Sequence, residues 1–323
     1  MTDEDRTDLL ARPEQAGDRA TEARRAAPAW KVALALGTVY VVWGSTYFGI
    51  RVAIGTVPPL TMAALRFLVA GALLYPWAVR RGDREGDRPG LAQWVASVIV
   101  GVCLLAGGNG AVSWAEQRIP SGIAALLIAT VPLWMSVLGR MLLRERLAWT
   151  AVLGLAAGFA GLVLLVRPSG THRLDGLATA VVLGGALAWA GGSVWSRRAP
   201  LPRRPLVGAG IEMLAGGAVL TLAAAAGGEL GRFDPGRISV ASVVAMGYLV
   251  VFGSLIAFTA YAWLLRNVRT SVAATYAYVN PVVAVALGRA FGNEQVSGRT
   301  LLAGAVIIAG VALIVTARRP GAG

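Results

Sequence analysis

The stretch KVALALGTVYVVWGSTYFGIR, residues 31–51, decides the fold. Between Lys31 and Arg51 it carries no charged side chain, and most of its residues are apolar. A bilayer core roughly 30 Å thick is crossed by about 20 helical residues, because each residue adds about 1.5 Å along the helix axis. The stretch therefore predicts one membrane-crossing helix.

Nine further apolar runs of similar length follow, separated by charges, prolines and glycines. The chain of 323 residues is 56% hydrophobic and only 15% charged, whereas soluble domains carry about 25% charged residues. We therefore predict an all-α integral membrane protein with ten transmembrane helices. The predicted spans are 31–51, 60–79, 92–115, 121–143, 149–167, 175–196, 206–227, 239–264, 271–291 and 299–317.

The distribution of basic residues predicts the orientation. If the N-terminal tail lies inside, the segments on that side hold twenty lysines and arginines, against seven on the opposite side. Positive charge is enriched in cytoplasmic loops, so both termini are predicted in the cytoplasm. Residues 1–29 mix Asp, Glu and Arg with few large apolar residues, which predicts a disordered cytoplasmic tail. Residues 319–323 are predicted to form the cytoplasmic C-terminal end.

The two halves of the chain repeat each other, first at an offset of 146 residues and then at 149. The matched pairs that argue most strongly against chance are Trp43 and Trp189, Arg51 and Arg197, Pro132 and Pro281, and Glu145 and Glu294. The predicted repeats span 30–168 and 169–318, with five helices each. Because five is odd, the second repeat enters the membrane from the opposite side, and the repeats are inverted. Inverted repeats are typical of transporters that work by alternating access.

Several motifs resemble the EamA-type branch of the drug/metabolite transporter superfamily. They are WGSTYF at 43–48, GGNG at 107–110, PSGIAA at 120–125 and YAYVNPVVA at 276–284. The resemblance covers about residues 32–317. It implies ten helices in two EamA repeats, and export of amino acids, drugs or other metabolites across the cytoplasmic (inner) membrane. A proton gradient or the gradient of the substrate itself would drive transport.

Arg66 and Glu212 are the sharpest candidates for contact with substrate or protons. Both lie within apolar spans, and the offset of 146 makes them equivalent in the two repeats. A charge at the bilayer centre costs roughly 2.5–3.5 kcal/mol on insertion scales, so such residues face the protein interior and usually have partners. One hypothesis is that Arg66 holds a substrate carboxylate or that Glu212 takes up a proton. The alternatives are a static ion pair, or an Arg66 side chain that extends to the interface.

Pro132 and Pro281 are predicted to kink the fourth and ninth helices at equivalent points. A proline leaves one backbone carbonyl without its helical partner, which is tolerated where a helix lines a cavity. Tyr276, Tyr278 and Asn280 surround the second kink and are predicted to bind substrate. The alternative for Asn280 is a hydrogen bond to the kinked backbone.

Side chains of other helices complete the predicted substrate site. Trp43 and Tyr47 on the first helix are predicted to line a cavity, with helix packing and an interfacial aromatic belt as the alternative. Asn109 on the third helix shares a face with Ser113, one turn away. Glu116 follows near the outer surface, either as a gate or as a solvated helix end.

These features predict a secondary transporter whose partners are a small-molecule substrate and the lipid bilayer, with protons as one option for coupling. Nucleic acid is not an expected partner, because the positive charges lie at the ends of apolar runs and not on one face. One histidine, one cysteine and the absence of GxxxxGK[ST], GxSxG and HExxH motifs predict no metal site, no cofactor and no enzyme. A receptor or scaffold, and a facilitator or channel, are the alternatives. The oligomeric state has no sequence signal.

Overall fold

The computed structural model describes residues 27–81, 88–119, 124, 127–145, 147–166, 175–291 and 298–317. In that part of the chain all regular structure is helical, and a helix lies within each predicted span. The long helices are α1 (Ala29–Ala53), α2 (Pro59–Arg80), α3 (Leu91–Ala115), α4 (Val131–Leu143), α5 (Trp149–Val166), α6 (Gly176–Ser196), α7 (Pro205–Ala226), α8 (Val240–Asn267), α9 (Tyr276–Phe291) and α10 (Gly298–Thr316).

Short helical turns occupy some connections, at Glu229–Arg232, Pro235–Arg237 and Thr270–Ala273. The predicted tail up to residue 26 and the predicted C-terminal end at 319–323 lie outside the described residues.

Length and composition identify six of the described helices, α1, α2, α3, α6, α7 and α8, as able to cross a membrane. Shorter apolar helices lie at Val131–Leu143, Trp149–Leu164 and Leu301–Thr316. The chain is therefore all-helical in its described part and has several membrane-crossing helices, as predicted. The count of ten crossings stays a prediction.

The two predicted repeats pack mainly against each other. Helix α2 lies along α7 and α5 lies along α10, and each of these pairs joins equivalent helices. Helix α1 packs on α8 and α9, while its counterpart α6 packs on α3 and α4. The main contacts are therefore preserved when the helices of one repeat are exchanged for those of the other. The inverted arrangement itself stays a prediction.

Glycines let these helices approach closely. A Cβ at Gly101 of α3 would overlap the backbone of Glu212 on α7. A Cβ at Gly154 of α5 would lie 2.6 Å from the carbonyl oxygen of Gly310 on α10. Small residues favour such crossings in membranes, where helices associate through close van der Waals packing because lipid is as apolar as the helix surface.

Two equivalent helices contain a π-helical segment, Val102–Gly110 in α3 and Leu249–Ile256 in α8. The repeat offset of 149 residues places the first segment largely over the second. π-helical segments are rare and often mark functional sites. The apolar pattern of the sequence carries no signal for them.

The two prolines occupy different positions in their helices. Pro281 lies inside α9 and removes one helical hydrogen bond there. Pro132 lies in the first turn of α4, directly after a turn at 129–130, and residues 127–128 before that turn are helical, so the fourth span is interrupted beside this proline. Proline is favoured at that position because its missing N–H would have no helical partner.

Replacing Gly101 by alanine is expected to destabilise the protein, since overpacking of this kind costs typically about 1–3 kcal/mol. Gly247 of α8 provides the control, because nothing lies within 4 Å of its Cβ position. Thermal unfolding of the purified proteins in detergent should give a lower Tm for Gly101→Ala and an unchanged or higher Tm for Gly247→Ala. Equal Tm values for the two variants would contradict the close contact between α3 and α7.

Candidate functional site

A central cavity lies between seven helices: α1, α2, α3, α4, α6, α8 and α9. It offers about 80 Å³ to the centre of a water molecule, which is room for several waters. Polar and aromatic side chains both face it. They are Trp43, Thr46, Tyr47, Arg66, Phe67, Asn109, Trp189, Phe258, Tyr276 and Asn280.

Six of the eight predicted substrate-binding residues line this cavity. They are Trp43, Tyr47, Arg66, Asn109, Tyr276 and Asn280. These six residues come from four helices that are separate along the chain, and the fold places them around one cavity. Their contact with a substrate remains a proposal.

The cavity lies toward one end of the bundle. On α1 its lining runs from Trp43 to Ile50, and on α3 from Leu105 to Val112, so it occupies the C-terminal halves of both helices. In the predicted orientation this is the outer half of the membrane, away from the termini.

Arg66 is the charged group of the cavity. Its side chain is almost fully buried, and its Nε donates a hydrogen bond of 2.8 Å to Oγ of Ser254 in the π-helical segment of α8. Gly253 leaves room for the guanidinium, because a Cβ there would lie 2.7 Å from Nη2 of Arg66. Within the described part of the chain, Arg66 forms no salt bridge.

Four aromatic side chains, Trp43, Trp189, Tyr261 and Tyr276, form what we term the aromatic floor of the cavity. The Trp43 ring lies 5.6 Å from Trp189, 5.1 Å from Tyr261 and 4.9 Å from Tyr276, measured between centroids. Nε1 of Trp43 donates to the carbonyl oxygen of Gly253 at 3.1 Å, and Nε1 of Trp189 donates to Oη of Tyr261 at 3.0 Å. With these polar atoms paired, the rings pack in the interior without an unmet donor.

Tyr278, unlike Tyr276, does not line the central cavity, and its contact with a substrate stays a prediction. Its side chain is fully buried against α5, where a Cβ at Gly158 would lie 2.8 Å from the ring. Its Oη donates to the carbonyl oxygen of Leu155 at 3.4 Å. Tyr276 and Tyr278 are two helical residues apart, roughly 200° around the axis, so they face opposite sides.

Glu212 lies outside the central cavity as well, in a second and smaller one. That cavity offers about 10 Å³ to a water centre, enough for about one water, and Ser196, Tyr261 and Arg266 also line it. Phe258 lines both cavities. Phe258 and the aromatic floor therefore lie between Glu212 and Arg66. These two equivalent residues do not pair with each other.

Asn280 lies one helical turn after Tyr276 on the cavity side of α9. Only 3% of its surface is exposed, and its Oδ1 has no hydrogen-bond partner. The alternative of a hydrogen bond to the kinked backbone is not formed within the described residues.

A polar network joins helix ends on the far side of the aromatic floor; we term it the inner network. Glu145, after α4, lies 3.5 Å from Nη2 of Arg197, which follows α6. Oγ1 of Thr270 donates to the same carboxylate at 2.6 Å, and Arg197 also donates to the carbonyl oxygen of Val268 after α8. The network holds the ends of α4, α6 and α8 together on this side.

Sequence reasoning missed three residues of the site: Gly253, Ser254 and Tyr261. The adjacent glycine and serine interrupt an otherwise apolar run, and this was the one available signal. Tyr261 gave none, because its contacts join helices that are distant along the chain.

Comparison with known proteins identifies the family. A model of the EamA-like transporter family matches residues 30–167 and again residues 176–316. The chain belongs to the EamA-like transporter family. The resemblance predicted from the sequence motifs is confirmed.

Three similar proteins support this assignment. An Escherichia coli K12 protein described as the uncharacterized inner membrane transporter YedA is 43% identical over 283 residues, which cover 87% of this chain and 89% of the relative. A probable terminal-alkyne amino-acid exporter of Streptantibioticus cattleyicolor is 26% identical over 291 residues, 88% of this chain and 93% of the relative. One solved crystal structure matches with a TM-score of 0.72 and 26% identity, over 89% of this chain and 99% of that one.

This EamA protein is therefore a multi-pass protein of the cytoplasmic membrane and a member of a family of transporters. The family match also places both π-helical segments and the whole central cavity inside the matched residues.

Glu116 lies just beyond the end of α3, and Arg51 lies in the last turn of α1. Burial raises the pKa of Glu116 to about 7, although the charge of Arg51 acts to lower it. The Glu116 carboxyl is therefore not the fully solvated helix end that was one of the predicted alternatives.

Replacing Glu116 by glutamine is expected to stabilise the protein only at high pH. Burial raises the pKa of Glu116 from 4.5 to about 7. The contribution of Glu116 to the free energy of unfolding is therefore fully present below about pH 4.5 and is lost as the pH rises through about 7. Glutamine cannot ionise, so Glu116→Gln should match the wild type near pH 4.5 and show a higher Tm at pH 8. The control is Asp234→Asn at an exposed position. A Tm difference that is the same at both pH values would contradict the assignment.

Proposed function

We propose that this EamA protein is a secondary transporter that exports small metabolites with an anionic group by alternating access through the central cavity. The observation that carries the proposal is Arg66, a buried cation that faces the cavity and has no carboxylate partner among the described residues. The membership of a transporter family supplies the context.

The chemistry of Arg66 favours an anionic ligand. A buried charge without a partner is strongly unfavourable in an apolar interior. Ser254 takes one guanidinium donor and leaves the terminal nitrogens for another group. A guanidinium presents a planar fork of donors that matches a carboxylate or a phosphate. A substrate anion would therefore supply the partner that the described protein does not.

The other hypotheses for Arg66 have less support. A static ion pair needs an acidic partner, and none is formed within the described part of the chain. Extension to the interface needs an exposed guanidinium, whereas Arg66 is 5% exposed and bonded to a fully buried serine. A role in binding accounts for both observations.

The cavity favours a small substrate over a large drug-like one. Its volume of about 80 Å³ for a water centre holds only several waters, and the aromatic floor presents an apolar surface beside the cation. An amino acid fits this description. The relative described as a probable amino-acid exporter supports both the substrate class and the direction.

Alternating access is supported by the uneven closure of the bundle. The cavity lies toward the predicted outer end, while the aromatic floor and the inner network close the opposite side. Arg197 of the inner network is the repeat counterpart of Arg51 at the outer end. We propose that the two repeats exchange conformations, which opens the inner side and closes the outer one.

Glu212 is the proposed site for a coupling proton. Its side chain is 4% exposed and lines a water-sized cavity beside Arg266, on the predicted cytoplasmic side of the aromatic floor. A carboxylate in this position can gain or lose a proton without touching the substrate. The closed floor also argues against a continuous channel. A receptor or scaffold would not require an unpaired cation in a cavity.

Replacing Arg66 by glutamine is expected to lower the transport of carboxylate substrates roughly 10- to 100-fold, because hydrogen bonds to charged groups contribute about 1.5–3 kcal/mol. The measurement is efflux of labelled amino acids from proteoliposomes, with and without an imposed proton gradient. Arg118→Gln, at an exposed arginine, is the matched control and should leave transport unchanged. Wild-type rates in a correctly reconstituted Arg66→Gln variant would refute the binding role.

Replacing Arg197 by glutamine is expected to raise the ratio of inward-open to outward-open molecules roughly two- to fivefold, since a partly exposed ion pair contributes up to about 1 kcal/mol. The measurement is labelling of Asn109→Cys, in a Cys103→Ala background, by a membrane-impermeant thiol reagent applied from either side. Labelling from the cytoplasmic side should rise and labelling from outside should fall. The exposed neighbour Arg198→Gln is the control. Unchanged labelling from both sides would show that the network does not contribute to closure.

A further inference from the structure

We propose that Asn280 determines specificity by accepting a hydrogen bond from an ammonium group of the substrate, while Arg66 holds the anionic group. The cavity would then select compounds that carry both an ammonium group and an anionic group. This inference rests on the proposed function, because it takes the central cavity as the transport site.

The first observation is the unused hydrogen-bonding capacity of Asn280. The residue lines the cavity, yet it is 97% buried by the protein and its Oδ1 has no partner. Buried polar groups are nearly always hydrogen-bonded, so an unpaired amide oxygen needs a physical reason. A ligand that brings a donor into the cavity provides one.

The second observation is that the backbone holds Asn280 in place. Helix α9 approaches α1 closely at Gly44, where a Cβ would lie 2.6 Å from Cβ of Val283 and 3.3 Å from the carbonyl oxygen of Asn280. The following Pro281 offers no N–H to the Asn280 side chain. The backbone of Asn280 is therefore held against α1, and the next residue gives its side-chain amide no donor.

The third observation is that two other polar side chains of the cavity, Trp43 and Thr46, are already engaged. Nε1 of Trp43 donates to the carbonyl oxygen of Gly253, and Oγ1 of Thr46 donates to the carbonyl oxygen of Trp43. Arg66 can only donate hydrogen bonds. It therefore suits an acceptor on the ligand, and Asn280 Oδ1 suits a donor.

The aromatic surroundings favour an ammonium group over a hydroxyl as that donor. Tyr276 lies one turn before Asn280 on the same face of α9, and its ring centroid is 4.9 Å from that of Trp43. The faces of tyrosine and tryptophan rings attract cations. An ammonium group near Asn280 would gain from both the amide oxygen and these rings.

The test compares three carboxylates that differ only at the second carbon: L-leucine, L-2-hydroxy-4-methylpentanoate and 4-methyl-2-oxopentanoate. Each is measured as labelled efflux from proteoliposomes with wild type, Asn280→Leu and Asn280→Asp. We expect the wild type to prefer leucine. Asn280→Leu should reduce that preference at least tenfold with little change for the other two acids. Asn280→Asp should increase it, because a carboxylate attracts an ammonium group more strongly than an amide oxygen does.

The control is Asn267→Leu, because Asn267 is exposed at the end of α8 and bonds only its own helix at Trp263. It should retain the wild-type preference. Asn280→Asp preserves the size of the side chain, so it decides the question if Asn280→Leu does not reconstitute. A preference for leucine that neither Asn280 variant alters would overturn the inference, as would a wild type that moves all three acids equally.

The same panel separates this inference from the proposed function. If Arg66→Gln slows all three acids while the Asn280 variants leave their ratio unchanged, the proposed function stands and the role of Asn280 is refuted. If the wild type moves none of the three acids in a preparation shown to be folded, both the carboxylate site and the role of Asn280 are refuted.

Discussion

The constraint on which this structure depends is that backbone N–H and C=O groups inside a bilayer find no water to bond. Helices satisfy them internally, so irregular backbone at membrane depth is tolerated only where it is buried in protein or lines a cavity. The EamA protein follows this rule. Residues of both π-helical segments line the central cavity, and Gly253 in the second segment offers its carbonyl oxygen to Trp43. The irregular backbone has thus become part of the candidate site.

The same constraint explains how far sequence reasoning reached. Apolar runs that cross lipid are a local property, so they predicted a helix in every span. Arg66 and Asn280 stood out because a charge or an amide is rare within such runs. Tyr278 was grouped with Tyr276, although helical periodicity already places the two residues on opposite faces of α9. Ser254 was not predicted as a residue of the site, because its role depends on a hydrogen bond to another helix. The register of two packed helices cannot be inferred from the sequence of either helix alone.

The repeat also had limits as a guide to function. Two of the five equivalent pairs, α2 with α7 and α5 with α10, pack together, yet the equivalent residues Arg66 and Glu212 occupy different cavities on opposite sides of the aromatic floor. Duplicated helices can keep the same packing while their polar residues diverge, because packing depends on small residues and close contact. We propose that this divergence separates substrate binding from proton binding. An anion at Arg66 and a proton at Glu212 would then act on the same conformational equilibrium without competing for one group.

Magnitudes indicate which contacts control that equilibrium. The ion pair between Glu145 and Arg197 is partly exposed, with 23% and 22% of the side chains accessible, so it contributes at most about 1 kcal/mol. Each aromatic contact of the floor contributes about 0.5–1.5 kcal/mol beyond the burial of its surface, and Trp43 alone makes three of them. In the proposed cycle, opening the inner side must separate some of these rings. The aromatic floor would then be the larger barrier, and because it lies beneath the proposed substrate site, a ligand that repacks these rings would change the proposed equilibrium directly.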